Sequence, residues 1–129
     1  MKALFGTDGI RGEAGKFPLD HATVDRIGFS LASYLRRATA RAPVIVIGRD
    51  TRESGEWLEQ ALIEGTTKAG AQCHVAGVIT TPGVAFLTGS LGADAGVVIS
   101  ASHNPYHDNG IKIFAPSGKK LDDSIERII

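Results

Sequence analysis

Val44-Ile45-Val46-Ile47 is a continuous apolar run, with Pro43 before it and Gly48-Arg49-Asp50 after it. A strand with one wet face alternates apolar and polar residues. Four β-branched residues in a row instead mark a strand buried on both faces, as in a parallel sheet. Such a strand needs helices above and below it, and the flanking segments read as helices. Asp20 to Ala40 carries Val24, Ile27, Leu31 and Leu35 at helical spacing behind Asp20, a good N-cap. After the strand, Ser54 is a second N-cap, Glu56 and Glu59 suit the positive end of the helix dipole, and Gly70 closes the segment.

The alternation continues. Cys73 to Ile79 reads as a strand, Thr81-Pro82 as N-cap and first position of a short helix toward Leu91, and Gly96 to Ser100 as another strand. A polar loop follows from Ala101 to Gly110, then a strand over Ile111 to Phe114 and a turn at Pro116-Ser117-Gly118. Asp122 opens a last helix with Ile125, Ile128 and Ile129 on one face. Strand and helix in alternation predict an α/β fold, a mixed, mostly parallel sheet with helices on both faces. One domain over residues 1–129 fits the length. The sequence stops inside a helical pattern with no cap, as expected of a piece of something longer.

Composition narrows the function. Lys+Arg and Asp+Glu are 14 each, so no bulk charge argues for nucleic acid or an acidic membrane surface. The start has no signal-peptide or transit pattern, and no apolar run nears the roughly 20 residues of a membrane helix. Cys73 is the single cysteine, which excludes an internal disulfide framework and fits a reducing compartment. A cytoplasmic protein is expected. Cys73 itself is most simply a core residue.

Ligands of open α/β sheets bind outside the carboxyl ends of the strands. Three loops leave such ends here: Gly48-Arg49-Asp50-Thr51-Arg52, Thr80-Thr81-Pro82, and Ser100-Ala101-Ser102-His103-Asn104-Pro105 running on to Gly110. Parallel strands should open all three on one edge, where arginines and hydroxyls suit a phosphate-bearing ligand. A hydroxyl on the third loop, which Pro105 keeps from being helical, could act as a nucleophile. The blander meaning, a connection whose Ser and Asn only cap backbone groups, is the commoner one for such a loop. His103 and His107 have zinc-binding helical spacing, but Pro105 between them removes the helix. Lys112 alternates with Ile111 and Ile113 and is in most such cases a solvated lysine. Arg36-Arg37 suits a helix end. No dinucleotide fingerprint or Walker loop is present.

Four segments together resemble the α-D-phosphohexomutase superfamily, in order and over essentially the whole chain. Ile99-Ser100-Ala101-Ser102-His103-Asn104-Pro105 resembles its phosphoserine loop. Phe5-Gly6-Thr7-Asp8-Gly9-Ile10-Arg11-Gly12 is similar to the opening of its phosphoglucosamine mutases. Gly48 to Arg52 and Asp108-Asn109-Gly110-Ile111-Lys112 match between and after them.

The resemblance implies the first of four domains around a cleft. Ser102 would carry the phosphoryl group and exchange it with a hexosamine phosphate. Glucosamine 6-phosphate and glucosamine 1-phosphate would interconvert through a bisphosphate, with Mg²⁺ as cofactor. Lys112 and Arg11 would surround the transferring group. Arg11 would act electrostatically, because a guanidinium is no base. His103 would flank the phosphoserine, Asn104 would hold the loop, and Arg49, Asp50 and Arg52 would belong to the phosphate environment. Ser102 would meet Mg²⁺ only through its phosphate oxygen. The superfamily's aspartate- and glycine-rich metal loop is missing, and Asp94 and Asp122-Asp123 are the nearest substitutes. Partners would be the hexosamine phosphate and later domains of the same chain. The isoleucine stripe over 125–129 leaves room for a homo-oligomer. The isolated chain should be inactive. A phosphomannomutase or phosphoglucomutase, or a non-catalytic fragment keeping the fold, are the competing readings.

Overall fold

Helix α1 (His21–Thr39) begins where the sequence predicts, with the Asp20 carboxylate accepting from the Thr23 backbone N–H at 2.8 Å. It packs along α2 (Gly55–Lys68) at very short range. A Cβ at Gly28 would stand 2.7 Å from the Leu62 carbonyl oxygen, and one at Gly65 would overlap the Asp25 carbonyl oxygen. The two helices cover one face of the sheet. The computed structural model describes residues 9–101, 105, 107–119 and 121, so the expected helix from Asp122 lies outside the described residues.

The sheet has five strands in the order β1-β5-β4-β2-β3. These are β1 (Ile10–Glu13), β2 (Val44–Arg49), β3 (Gln72–Val78), β4 (Ala95–Ile99) and β5 (Asp108–Phe114). β2 pairs parallel with β3 and β4, while β5 pairs antiparallel with both β4 and β1. Four strands therefore share a direction and β5 opposes them. The apolar run of β2 divides as its two-faced burial requires. Ile45 and Ile47 join the main core under α1 and α2, and Val46 joins a second cluster with Val84, Val98 and Phe114 under α3 (Thr81–Ser90). Cys73 packs against the main core, 3.1 Å from Thr66 Oγ1, and burial pushes its thiol pKa up.

Five local expectations need correction. β1 was not foreseen, because four residues reading Ile-Arg-Gly-Glu have no strand pattern and become a strand only by pairing with β5. For the same reason β5 starts at Asp108, three residues before the expected Ile111. Asn109-Gly110, a turn signal locally, is a strand segment opposite Gly12 and Arg11. Ser54 does occupy the N-cap position of α2, but its hydroxyl makes no cap hydrogen bond. The N-cap of α3 is Thr80, one residue early, with Oγ1 accepting from the Gly83 N–H at 3.1 Å.

The α1–α2 approach yields a stability prediction. Glycine to alanine inside a helix ordinarily gains about 0.5–1 kcal/mol. At Gly65 the added methyl group meets backbone rather than a side chain that can move. Gly65→Ala is expected to lose about 1–3 kcal/mol by overpacking. Urea denaturation reads the sign directly, and a gain would show that the two helices are not so tightly apposed.

Candidate phosphate-transfer edge

The carboxyl ends of β2, β3 and β4 do gather on one edge. Backbone bonds lock them together: Asp50 N–H donates to the Ile99 carbonyl at 3.1 Å, and Ile79 N–H to the Arg49 carbonyl at 2.9 Å. Because β5 runs the other way, its first residue, Asp108, opens on this edge too, opposite Glu13 at the end of β1. The chain therefore leaves β4 at Ile99 and re-enters the sheet at Asp108. Ser102, His103 and Asn104 lie outside the described residues.

The segments flanking those three residues are described, and both meet an arginine. On the β4 side, Arg11 Nη1 donates to the Ala101 carbonyl at 3.0 Å. Arg11 sits opposite Gly110 in register, and that glycine makes the approach possible. A Cβ there would lie 3.2 Å from Arg11 Cγ, 2.7 Å from the Ser100 carbonyl oxygen and 2.8 Å from that of Ile10. On the β5 side, Arg52 Nη1 donates to the Pro105 carbonyl at 2.6 Å and to the Asp108 carbonyl at 3.2 Å. Asp50 orients that guanidinium: its carboxylate accepts from Arg52 Nε at 3.1 Å and from the Arg52 backbone N–H at 3.0 Å.

Asn109, fully buried, adds a third fastening that sequence reasoning missed. Its Nδ2 donates to Ser54 Oγ at 2.8 Å and its Oδ1 accepts from the Gly110 N–H at 2.9 Å. The hydroxyl expected to cap α2 instead anchors β5. Nothing local could have revealed this, since the two residues are 55 positions apart.

Lys112 and Arg11 share one face of the sheet, the face away from Ile111 and Ile113. Lys112 pairs with Val98 in mid-sheet, so it is not on an edge strand. Half-buried, its Nζ lies 5.6 Å from the Phe114 ring centroid, within cation–π range. Arg49 turns to the other face and lies beneath the first turns of α2. Its Nε is 3.7 Å from Glu59 Oε1, and its Nη2 is 3.9 Å from Glu56 Oε1. Burial raises the Glu59 pKa, Arg49 opposes that shift, and Glu56 adds to it. His107 is exposed, 3.4 Å from Asp108, and borders a cleft of about 310 Å³ with Ala14, Glu53, Ser54 and Trp57.

Among the described residues, no three His, Cys, Asp or Glu side chains converge to hold a metal ion. The described part of the chain therefore does not fit a magnesium shell by itself. Asp94, the nearest described substitute for the missing metal loop, is committed elsewhere. Its carboxylate accepts from Arg41 at 2.6 and 2.8 Å and from the Val44 backbone N–H at 2.8 Å, at the opposite edge of the sheet.

Comparison with known proteins gives a consistent picture. The model of the phosphoglucomutase/phosphomannomutase α/β/α domain I matches residues 2–129. A phosphoglucosamine mutase of Koribacter versatilis is 53% identical over 100% of this chain, and one of Deinococcus radiodurans is 56% identical over 97%. This chain spans 28% of the length of each of these curated relatives. A solved phosphoglucomutase/phosphomannomutase family protein of Burkholderia thailandensis superposes with a TM-score of 0.80. It is 30% identical and covers 97% of this chain and 28% of its own.

The role of Asp94 is open to a pH test. Although its burial acts to raise the pKa, hydrogen bonds from Arg41 and Val44 outweigh that, and the folded-state value lies below the ordinary 3.8. The stabilisation is thus complete above about pH 4 and is lost as pH falls through the depressed folded value. Asp94→Asn should melt lower than the wild type at pH 6–7, with the two curves converging as acid protonates the carboxylate below its ordinary range. A difference that stays constant from pH 7 to pH 2 would rule out the ionised carboxylate as its source.

Proposed function

Because the chain belongs to the phosphoglucomutase/phosphomannomutase family, as its α/β/α domain I, we propose that it is the phosphoryl-carrying part of a phosphoglucosamine mutase with Ser102 as the carrier. The observation that carries this reading is the Arg11 guanidinium on the Ala101 carbonyl, one residue before Ser102 in sequence. A cation is thereby built into the approach to that serine. The identity of 53–56% to phosphoglucosamine mutases, over nearly the whole chain, supports that branch over the phosphomannomutases.

Phosphoryl transfer asks a protein for positioning and charge neutralisation more than for covalent help. In the forward half-reaction the bond from Ser102 Oγ to phosphorus breaks, and a bond forms from phosphorus to the 1-hydroxyl oxygen of glucosamine 6-phosphate. The hydroxyl proton leaves the sugar and Ser102 regains one. The bisphosphate then reorients, and its 6-phosphoryl group returns to Ser102. Arg11 stays protonated throughout and stabilises charge. Lys112, on the same sheet face, supplies a second cation and assists proton movement at the hydroxyl. His103 flanks the phosphoserine and Asn104 holds the loop, while Arg49, at ion-pair distance from Glu56 and Glu59, braces the edge from the other face of the sheet. Mg²⁺ would neutralise phosphate charge, held by the Ser102 phosphate and by groups beyond the described residues. The reaction is cytoplasmic and uses later domains of the same chain for the distal part of the sugar. Among the described residues no helix is long and apolar enough to cross a membrane.

In the full-length protein, Ser102→Ala is expected to abolish mutase turnover, since no hydroxyl remains to carry the group. Wild-type turnover in a purified Ser102→Ala preparation would refute the carrier assignment.

Lys112→Ala separates a catalytic from a structural lysine. An aligned charge at the transferring group is worth about 3–4 kcal/mol of barrier, or roughly 10²–10³ in rate. The Phe114 contact is worth only about 0.5–1 kcal/mol of stability. Turnover should fall steeply while the melting temperature moves little. The reverse pattern would make Lys112 a packing residue.

A further inference from the structure

We propose that Arg52 is a positioning residue for phosphoryl transfer, clamping the backbone that continues from Ser102, and not a ligand to the sugar phosphate. The inference rests on Ser102 being the carrier.

The guanidinium is spent inside the fold. Arg52 is 9% exposed. One Nη1 bridges the Pro105 and Asp108 carbonyls, and Nε is held by Asp50. An arginine built to bind a phosphate presents its planar fork to an open cleft for bidentate contact. This one presents it to main-chain oxygens. A charged donor makes those bonds roughly twice as strong as neutral ones.

The clamp is also referenced to the right part of the sheet. Asp50, which orients Arg52, donates its own backbone N–H to the Ile99 carbonyl at the end of β4. The Ser100 N–H donates to the Gly110 carbonyl at 2.9 Å, tying β4 to the returning strand. The Asp108 N–H donates to the Pro105 carbonyl at 3.0 Å, so Arg52 grips a segment that is already turned on itself. Beyond the direct β4–β5 pairing, the Asp50–Arg52 ion pair thus links the departure from β4 at Ile99 to the Pro105–Asp108 return. Lysine could reach one carbonyl but could not also keep the Asp50 contact in the same plane.

Steady-state kinetics on the full-length enzyme with glucosamine 6-phosphate, for Arg52→Met, Arg52→Lys, Asp50→Asn and Ser102→Ala, test the clamp. A displaced carrier costs kcat, by about 10–100-fold for Arg52→Met, with KM within about twofold of wild type. Arg52→Lys should recover part of the loss, and Asp50→Asn should fall in the same direction. The ³¹P resonance of the phosphorylated serine should broaden or split in Arg52→Met. A tenfold or larger rise in KM at near-normal kcat would make Arg52 a substrate ligand and overturn the proposal, as would unchanged kcat in folded Arg52→Met. If Arg52→Met does not fold, the same kcat-against-KM comparison on Arg52→Lys and Asp50→Asn decides. Full turnover in Ser102→Ala would instead defeat the carrier reading. Loss of turnover there, with normal kcat in the other three variants, would defeat the clamp alone.

Discussion

β5 is the strand that runs against its neighbours, and it lies between β1 and β4 rather than at an edge. The chain must therefore leave β4, reverse at the carboxyl edge, and thread back into the middle of the sheet between Ile99 and Asp108. A parallel successor to β4 would have needed a helical crossover and would have carried the chain to the far edge. The antiparallel return instead leaves a short polar connection standing where ligands of α/β folds bind. Most of the specific polar contacts at this edge can be understood as holding that reversal.

Holding it has a cost that the sequence meets with particular residues. Strand interiors ordinarily avoid asparagine and glycine. Here Asn109 is fully buried, and an unpaired buried amide would cost about 1–3 kcal/mol. Ser54 and the Gly110 N–H satisfy it. Gly110 has no side chain because the Ser100 and Ile10 carbonyls and the stem of Arg11 fill that space. The pair therefore supplies close approach and a polar latch, and the φ freedom that makes Asn-Gly a turn signal elsewhere is not used.

This explains which parts of the fold could be read in advance. α1, α2 and the parallel strands carry their patterns locally: helical spacing from Val24 to Leu35, an unbroken apolar run in β2, and Asp20 as a cap that does cap. β1 and the first residues of β5 carry none, since each is a strand only because the other is there. Ser54 has the right identity and position for a cap, and a partner 55 residues away claims its hydroxyl. The candidate site is legible as motifs in order along the chain, which mark the carboxyl edge as the place to look. They do not say what each side chain does on it.

The basic residues of the edge make that last point physically. Arg49, Arg52, Arg11 and Lys112 come from motifs that read alike as phosphate-binding sequence. What separates them is where their charge is already answered. Arg49 lies at ion-pair distance from Glu56 and Glu59, and Arg52 from Asp50, so those cations are largely compensated within the fold. Arg11 gives Nη1 to the Ala101 carbonyl, which fixes where its guanidinium stands. Lys112 faces the Phe114 ring, and no described carboxylate stands at ion-pair distance from it. An aromatic face attracts a cation and still leaves its field to act on a nearby anion. A transferring phosphoryl group needs positive charge that folding has not neutralised. By that criterion Lys112 is suited to the chemistry proposed for this edge, while Arg49 and Arg52 are suited to building the edge itself.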